Sequence, residues 1–320
     1  MTDSSALPFV SVIVPVLNDE ARIGGCIEAL LAQEYPRERY EVIVVDNGSS
    51  DRSYEVAARY PVTLLSETET RSSFAARNRG MREARGEIFA FTDSDCTPAP
   101  RWLAEGVRAI QAGADLVGGR VRFVFSPRPS GAEVCDSMAN MQIERNIRER
   151  GVCKTANLFV RADLFATLGP FPHDLPSGGD VIWTGRATGA GHKLVYSPLA
   201  EVAHPTRRLA ALLKKHYRVG RGQRAIRAEQ RATALPSVAA GPAASRRRGK
   251  LAKLGRALKG FLPEPVSVVR DSMRQHEVEG VSGLYRVWLV AWLCRATTTL
   301  GSLAAAVSAQ GRSRRVYATE

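Results

Sequence analysis

Cysteine is scarce and scattered in this 320-residue chain: Cys26, Cys96, Cys135, Cys153 and Cys294 are odd in number and include no C-x-x-C pair. That argues against a disulfide framework and a structural zinc site, and fits a reducing cytosol. The N-terminus, MTDSSALP, lacks the basic-then-apolar pattern of a secretory signal, so a chain that stays in the cytoplasm is expected. Long apolar runs are missing too. Arg286 and Arg295 interrupt the strongest stretch, Leu284 to Cys294 followed by Thr297 to Val307, where a span needs about 20 apolar residues. An interfacial helix with Trp288 and Trp292 at headgroup level tolerates those arginines, as does a helix packing its tryptophans on the rest of the protein.

Acids are nearly absent from Pro205 to Gly260, where 16 Lys or Arg face only Glu229. That local excess of 15 exceeds the chain's net +13, so the remainder carries −2. Basicity therefore belongs to one segment. Stacking aromatics are missing there, Tyr217 apart, which argues against nucleic acid as partner and leaves an anionic membrane surface. No internal repeat is visible, and Val16-Leu17-Asn18-Asp19 is not the Gly-rich basic loop of a nucleotidyltransferase.

The composition, 44% hydrophobic, supports one large domain with an appendage, or two domains. Phe9 to Val16 reads as a first strand, followed by a helix capped by Asn18 or Asp19 and running to Gln33. Strand Glu41 to Val45, helix Arg52 to Arg59, strand Val62 to Leu65 and a helix carrying Phe74 and Met81 continue the alternation. It predicts a doubly wound parallel sheet over about the first hundred residues. Beyond it we expect a helix over Trp102 to Ala112, a strand or strand pair over Asp115 to Phe125, and one polar helix from Glu133 to Glu149. A helix opening at Ser177 to Asp180 and a last strand leading to His204 follow. The boundaries expected are a catalytic domain over 1–205, a basic linker over 206–262 and an amphipathic helical region over 263–320.

The stretch the chain is organised around is Gly86 to Asp95, GEIFAFTDSD. Apolar on both faces until it ends, it reads as a central strand that delivers Asp93 and Asp95 at its carboxyl tip, where open α/β sheets bind ligands. Two short acids two residues apart can hold a hard divalent cation and leave room for a phosphate. A plain turn before Pro98 and Pro100 is the competing reading. In the same way, Asp46-Asn47-Gly48-Ser49-Ser50-Asp51 sets polar side chains and backbone N–H groups after the second strand, with Gly48 allowing close approach.

The runs VSVIVPVLNDE, EVIVVDNGSSD, FAARNRGMREARGEIFAFTDSD, TANLFVRADLFATLGPF and GGDVIWTGRATGAGHKLVYSPLAEVAHP, in that order, resemble glycosyltransferase family 2 from about Val10 to Pro205. The resemblance implies a GT-A fold: an α/β, mostly parallel sheet flanked by helices, here with a basic helical C-terminal extension. It implies that Asp46 and Asn47 contact the donor base, that Pro15 and Asn18 flank that pocket, and that Arg77 and Asn78 reach the nucleotide or its diphosphate. Asp93 and Asp95 would hold manganese or magnesium, with His204 as a further ligand or as a plain surface histidine. Asp180 matches the catalytic base, its alternative role being a helix cap. Two positions depart from the commonest pattern, Gly179 where an acid often precedes the base and Asn47 where a second Asp is frequent. Q-x-x-R-W is absent, so a processive polysaccharide synthase is not expected.

The expectation is an inverting, metal-assisted glycosyltransferase. It moves a sugar from a nucleotide donor to a glycan, lipid-linked or small-molecule acceptor at the cytoplasmic membrane face, in envelope-glycan synthesis. The alternatives are a catalytically degenerate membrane scaffold and a nucleotidyltransferase.

Overall fold

The computed structural model describes residues 7–233 and 259–316. The Arg246 to Arg248 cluster and residues 234–258 of the expected basic linker lie outside the described residues. The chain divides into two compact units. The first comprises Met1–Val124, Met141–Leu175 and Gly179–Pro205, and the second Phe125–Asn140, Pro176–Gly178 and Thr206–Glu320.

The first unit is built on eight strands: β1 (Val10–Val16), β2 (Tyr40–Asp46), β3 (Thr63–Ser66), β4 (Ile88–Thr92), β5 (Thr97–Pro98), β6 (Leu116–Val124), β7 (Asn157–Arg161) and β8 (Leu194–Pro205). They form one sheet in the order β3-β2-β1-β4-β7-β6-β8-β5. The first four run parallel, as the strand–helix alternation predicts. β7 is inserted antiparallel between β4 and β6, and β8 returns parallel to β6. Because the chain goes outward from β1 to β3 and then crosses back to β4, the order reverses between β1 and β4. Ligands of open α/β sheets sit at such a reversal.

Helices cover both faces. α1 (Ile23–Leu31), α2 (Ser53–Ala57), α3 (Ser73–Glu83) and α4 (Trp102–Gln111) connect the first strands; α6 (Ile143–Arg150), α7 (Asp163–Leu168) and α8 (Gly179–Gly189) follow. On one face Val12, Val14, Val44 and Ala90 pack with Ile27, Leu30, Trp102 and Leu103. On the other, Ile13, Phe89 and Phe91 meet Phe74, Phe171 and Trp183. This period-two division explains why the strands read as unbroken apolar runs: each alternate residue is buried under a different layer. Burying one such side chain fully is worth about 1.5–3 kcal/mol.

The second unit is helical: α5 (Gly131–Ala139), α9 (Leu209–Thr233), α10 (Val266–Gln275) and α11 (Leu284–Val316). Two expectations are corrected here. The single helix expected from Glu133 to Glu149 is two, α5 and α6, separated at Asn140 to Gln142 where Met141 takes φ 50°. Ser130 starts α5 through a reciprocal capping box with Glu133, and six further residues of α5 after Glu133 include buried Val134, Cys135, Asp136 and Met138, so this is no polar surface helix. Arg286 and Arg295, each exposed, do not break up the apolar stretch as expected: Leu284–Val307 is by length and composition long and apolar enough to span a membrane. In the first unit, α1 begins at Ile23 without a side-chain cap, because Asn18 adopts φ 52° and Asp19 is bonded elsewhere.

Candidate active site

β4 ends at Thr92, so Asp93, Ser94 and Asp95 project beyond the carboxyl edge of the sheet, and each is tied to a different element. The Asp93 carboxylate takes a hydrogen bond of 2.5 Å from Arg77 on α3. Arg77 is only 2% exposed; it also donates to the Ser73 carbonyl and lies 5.7 Å from the Phe74 ring centre, while its Nε is buried with no hydrogen-bond partner. Ser94 donates 2.6 Å to Asp19, whose other oxygen accepts from Arg22 at 2.5 Å. Burial pushes the Asp19 carboxyl above its ordinary value against these hydrogen bonds, and the Asp95 charge adds to the rise.

Asp95 faces β8. The two-residue strand β5 pairs antiparallel with β8, Thr97 opposite Ala203 and Pro98 opposite Val202, which carries His204 to the start of the same turn. His204 Nε2 lies 3.7 Å from Asp95 Oδ1, and Cys96 Sγ lies 3.9 Å from that oxygen. The three donor atoms fall within 4.8 Å of one another. His204 is fully buried, and its Nδ1 sits 2.7 Å from the Pro205 carbonyl. A carbonyl only accepts, so Nδ1 carries a hydrogen and Nε2 is the ring atom aimed at Asp95. That is the orientation a metal-ligating imidazole requires, and the donor set fits a divalent cation. Of the expected ligands, Asp95 and His204 converge, Cys96 joins them, and Asp93 is engaged by Arg77. Burial, then the neighbouring carboxylates, pushes both Cys96 and the adjacent Cys26 thiol far above the ordinary value.

The nucleotide-side residues lie along the same edge. Pro15 stands opposite Val45 in the register of β1 with β2. Asn18 accepts from the Ser50 amide at 2.7 Å and gives its own amide to Ser49, tying the loop after β1 to that after β2. Asp46 is 5% exposed; Oδ2 accepts from the amides of Gly48 and Ser49, and Oδ1 is buried with no hydrogen-bond partner. Gly48 makes this turn with φ 76°, a conformation a larger residue adopts only with strain.

Asn47 donates its side-chain nitrogen to the carbonyls of Glu67 and Thr70, so this nitrogen pins a loop at the edge of the turn. Asn78 exchanges a reciprocal pair of hydrogen bonds with the Phe171 backbone, at 2.8 and 3.0 Å, and both its polar atoms are used there. It anchors the segment leading to α8. Asn157 is fully buried and bridges Trp102 Nε1 to the carbonyls of Arg120 and Ala200. Asp163 pairs with Arg161 at the opposite edge, lining a cavity of about 660 Å³ with Leu7 and Glu87.

Asp180 occupies the first turn of α8. Its Oδ1 accepts from the Val181 amide at 2.8 Å and Oδ2 from the Thr155 amide at 3.3 Å. Thr155 precedes β7, whose Asn157 stands opposite Thr92, and Thr92 Oγ1 donates to the Ala156 carbonyl. A short contact path thus runs from Asp180 through Thr155 and Ala156 to Thr92 and the adjacent Asp93. Composition held no signal for Thr155, which acts through its backbone. Cys96 was visible beside the acidic pair but carried no C-x-x-C spacing to mark it.

An open, mostly parallel sheet flanked by helices, with an acidic D-x-D just past its switch-point strand, is the architecture of a GT-A glycosyltransferase. The family model for glycosyl transferase family 2 matches residues 11–153. The chain is 41% identical over 307 residues to glycosyltransferase AglE of Haloferax volcanii, covering 94% of this chain and 97% of that one. It is 31% identical over 121 residues to a dolichol-phosphate mannosyltransferase of Pyrococcus furiosus, covering 34% of this chain and 32% of that one. Its fold matches the mannosyltransferase PcManGT of Pyrobaculum calidifontis, solved with GDP-Man and Mn2+, with a TM-score of 0.61 at 21% identity over 94% of this chain and 88% of that one. The chain belongs to glycosyltransferase family 2 and is a glycosyltransferase.

Proposed function

We propose that this glycosyltransferase works by inverting, metal-assisted displacement at the anomeric carbon of a nucleotide-sugar donor, in envelope glycan or glycolipid synthesis at the cytoplasmic face of an anionic membrane. The observation that carries the reading is the contact path from Asp180 to Asp93, which supports base and diphosphate-binding groups sharing one sheet edge.

In this reading the donor base lies over the turn after β2, where the buried, unpartnered Oδ1 of Asp46 accepts an N–H from it. Asp95 and His204, with Cys96 beside them, would hold Mn2+ or Mg2+, and Asp93 would be fixed by Arg77 to meet the ribose or diphosphate. The cation, when bound, supplies Lewis-acid neutralisation of charge on the departing nucleoside diphosphate. Asp180 accepts the proton of the acceptor hydroxyl as its oxygen attacks C1 from the side opposite the leaving group. The Thr155 amide, just before β7, holds one oxygen of that carboxylate in place.

The test is a panel of nucleotide sugars, beginning with the GDP-mannose bound by the Pyrobaculum protein, scored by thermal stabilisation with and without Mn2+. Asp95→Asn should abolish the Mn2+-dependent part. Asp180→Asn should retain donor stabilisation and lose transfer by about 10²–10⁴-fold. Transfer at wild-type speed by Asp180→Asn would overturn the assignment of the base.

A further inference from the structure

Exposed apolar side chains are concentrated in the second unit. Of the 13 large hydrophobic residues exposed among the described residues, nine belong to it, and five of these lie on α11: Tyr285, Leu289, Leu300, Leu303 and Val307. Their separations of four, eleven, three and four residues are whole numbers of helical turns. All five therefore fall within about 60° of the helix circumference, along a line of about 33 Å.

The opposite side of α11 is already occupied within the same unit. Val287 and Cys294 are buried, Cys294 clusters with Leu212 of α9, and His216 Nδ1 meets Thr298 Oγ1 at 3.0 Å. Gly220 and Gly301 let the two backbones touch: a methyl added to either would overlap the Thr298 or Tyr217 carbonyl. Contacts advance together along both helices, 212 with 294 and 216 with 298, so α9 runs parallel beside α11. Exposed Arg208 just before α9, and Lys214, Arg218 and Arg221 on it, bring positive charge beside α11, joined by exposed Arg286 on α11 itself. From Leu284 to Val307 there is no acid.

We infer that the outward face of α11 docks in the plane of an anionic lipid surface, with its five apolar side chains at the acyl boundary and the α9 bases on the headgroups. The inference rests on the membrane-facing reading of the C-terminal unit proposed above. Charge selects the occupant: the exposed bases beside α11, with no acid from Leu284 to Val307 to oppose them, complement anionic headgroups. Spanning is disfavoured although Leu284–Val307, at a mean hydropathy of 1.3, is long and apolar enough. A spanning α11 would drag Lys214, Lys215, Arg218 and Arg221 into hydrocarbon beside it. The tryptophans expected at headgroup level are not the contact residues. The Trp288 and Trp292 indoles donate to the carbonyls of Glu264 and Phe261, each at 2.7 Å.

The test is flotation of the full chain with phosphatidylcholine vesicles, with and without phosphatidylglycerol. Wild type should float with the anionic vesicles at least about tenfold more than with neutral ones and be released by alkaline carbonate. The double variant Leu300→Glu/Leu303→Glu should lose flotation by about tenfold or more while keeping the wild-type melting temperature and rate of nucleoside diphosphate release. Should that variant misfold, Leu303→Cys carrying an environment-sensitive fluorophore replaces it, and its emission should shift to the blue only with anionic vesicles. Flotation that high salt abolishes but the double variant leaves intact would overturn the apolar stripe and leave the membrane reading standing. No flotation with either vesicle would overturn both. Resistance to carbonate would overturn the in-plane geometry, and a soluble dimer broken by the double variant would reassign the face to self-association.

Discussion

At the residue scale, Arg77 and Asn78 are neighbours with opposite consequences. A guanidinium buried to 2% exposure needs its counter-charge, and Asp93 supplies it while being held in turn. A lysine provides the charge but not the fork, so Arg77→Lys should lower sugar transfer by about 10–100-fold with little change in melting temperature. An unchanged rate would show that Asp93 orients itself. Asn78→Ala should do the reverse, since it orphans two Phe171 backbone groups. We expect a loss of about 1–3 kcal/mol in stability with donor affinity retained below the melting range. The thiols add a third outcome. Burial raises the pKa of Cys26 and Cys96 far above the ordinary value and that of Cys153 to about 12, so at pH 8 almost no thiolate exists at these positions. Native protein should leave all three unalkylated by iodoacetamide, and denaturant should expose them.

At the scale of elements, the site depends on close approaches that only small residues permit. A methyl on Gly106 of α4 would overlap the Phe159 ring on β7, and one on Gly119 would overlap the Ala200 carbonyl and Asn157. The second lies where the β6–β8 register shifts, the irregularity that carries His204 onward to Asp95. Gly119→Ala should therefore destabilise by about 1–3 kcal/mol and weaken Mn2+ binding together, measured by melting and titration. In the second unit, Glu133 links α5 to its own N-cap loop. Burial alone would raise its pKa, but amide hydrogen bonds from Ser130 and Ser126, with their hydroxyls, bring it down to about 2. A carboxylate with a lowered folded-state value stabilises above the unfolded value and loses that contribution as pH falls toward 2. Glu133→Gln should thus cost about 1–2 kcal/mol at pH 7, and the difference from wild type should fade between pH 4.5 and 2. A pH-independent difference would mean that packing, not charge, is lost.

At the scale of the whole molecule, charge is segregated: a near-neutral catalytic portion precedes a strongly basic segment. Such a segment attracts any polyanion, including duplex DNA, by counter-ion release. That attraction should carry no sequence preference and collapse between about 50 and 200 mM salt. Persistent, sequence-dependent binding at the higher salt would overturn the exclusion of nucleic acid. Among the described residues the proposed donor-side residues belong to the first unit, and nine of the 13 exposed large apolar side chains to the second.

The strands, their parallel order and the two acids at the tip of β4 were legible in the sequence, because burial of both sheet faces writes unbroken apolar runs and because Asp93 and Asp95 follow one of them directly. Asp180 and His204 were recognisable only through the ordered motifs around them. What the tertiary structure alone decided is which polar side chain meets which. Asn78 and Asn47 were read from sequence as facing the donor, and the backbone groups their side chains bond lie up to 93 residues away. Hydrogen-bond partners are set by where strands pair, as β5 with β8 brings His204 to Asp95, and no local pattern encodes that pairing. The same reason hid the outward stripe of α11: the sequence gives its apolar residues, but only packing against α9 determines which of them are left facing out.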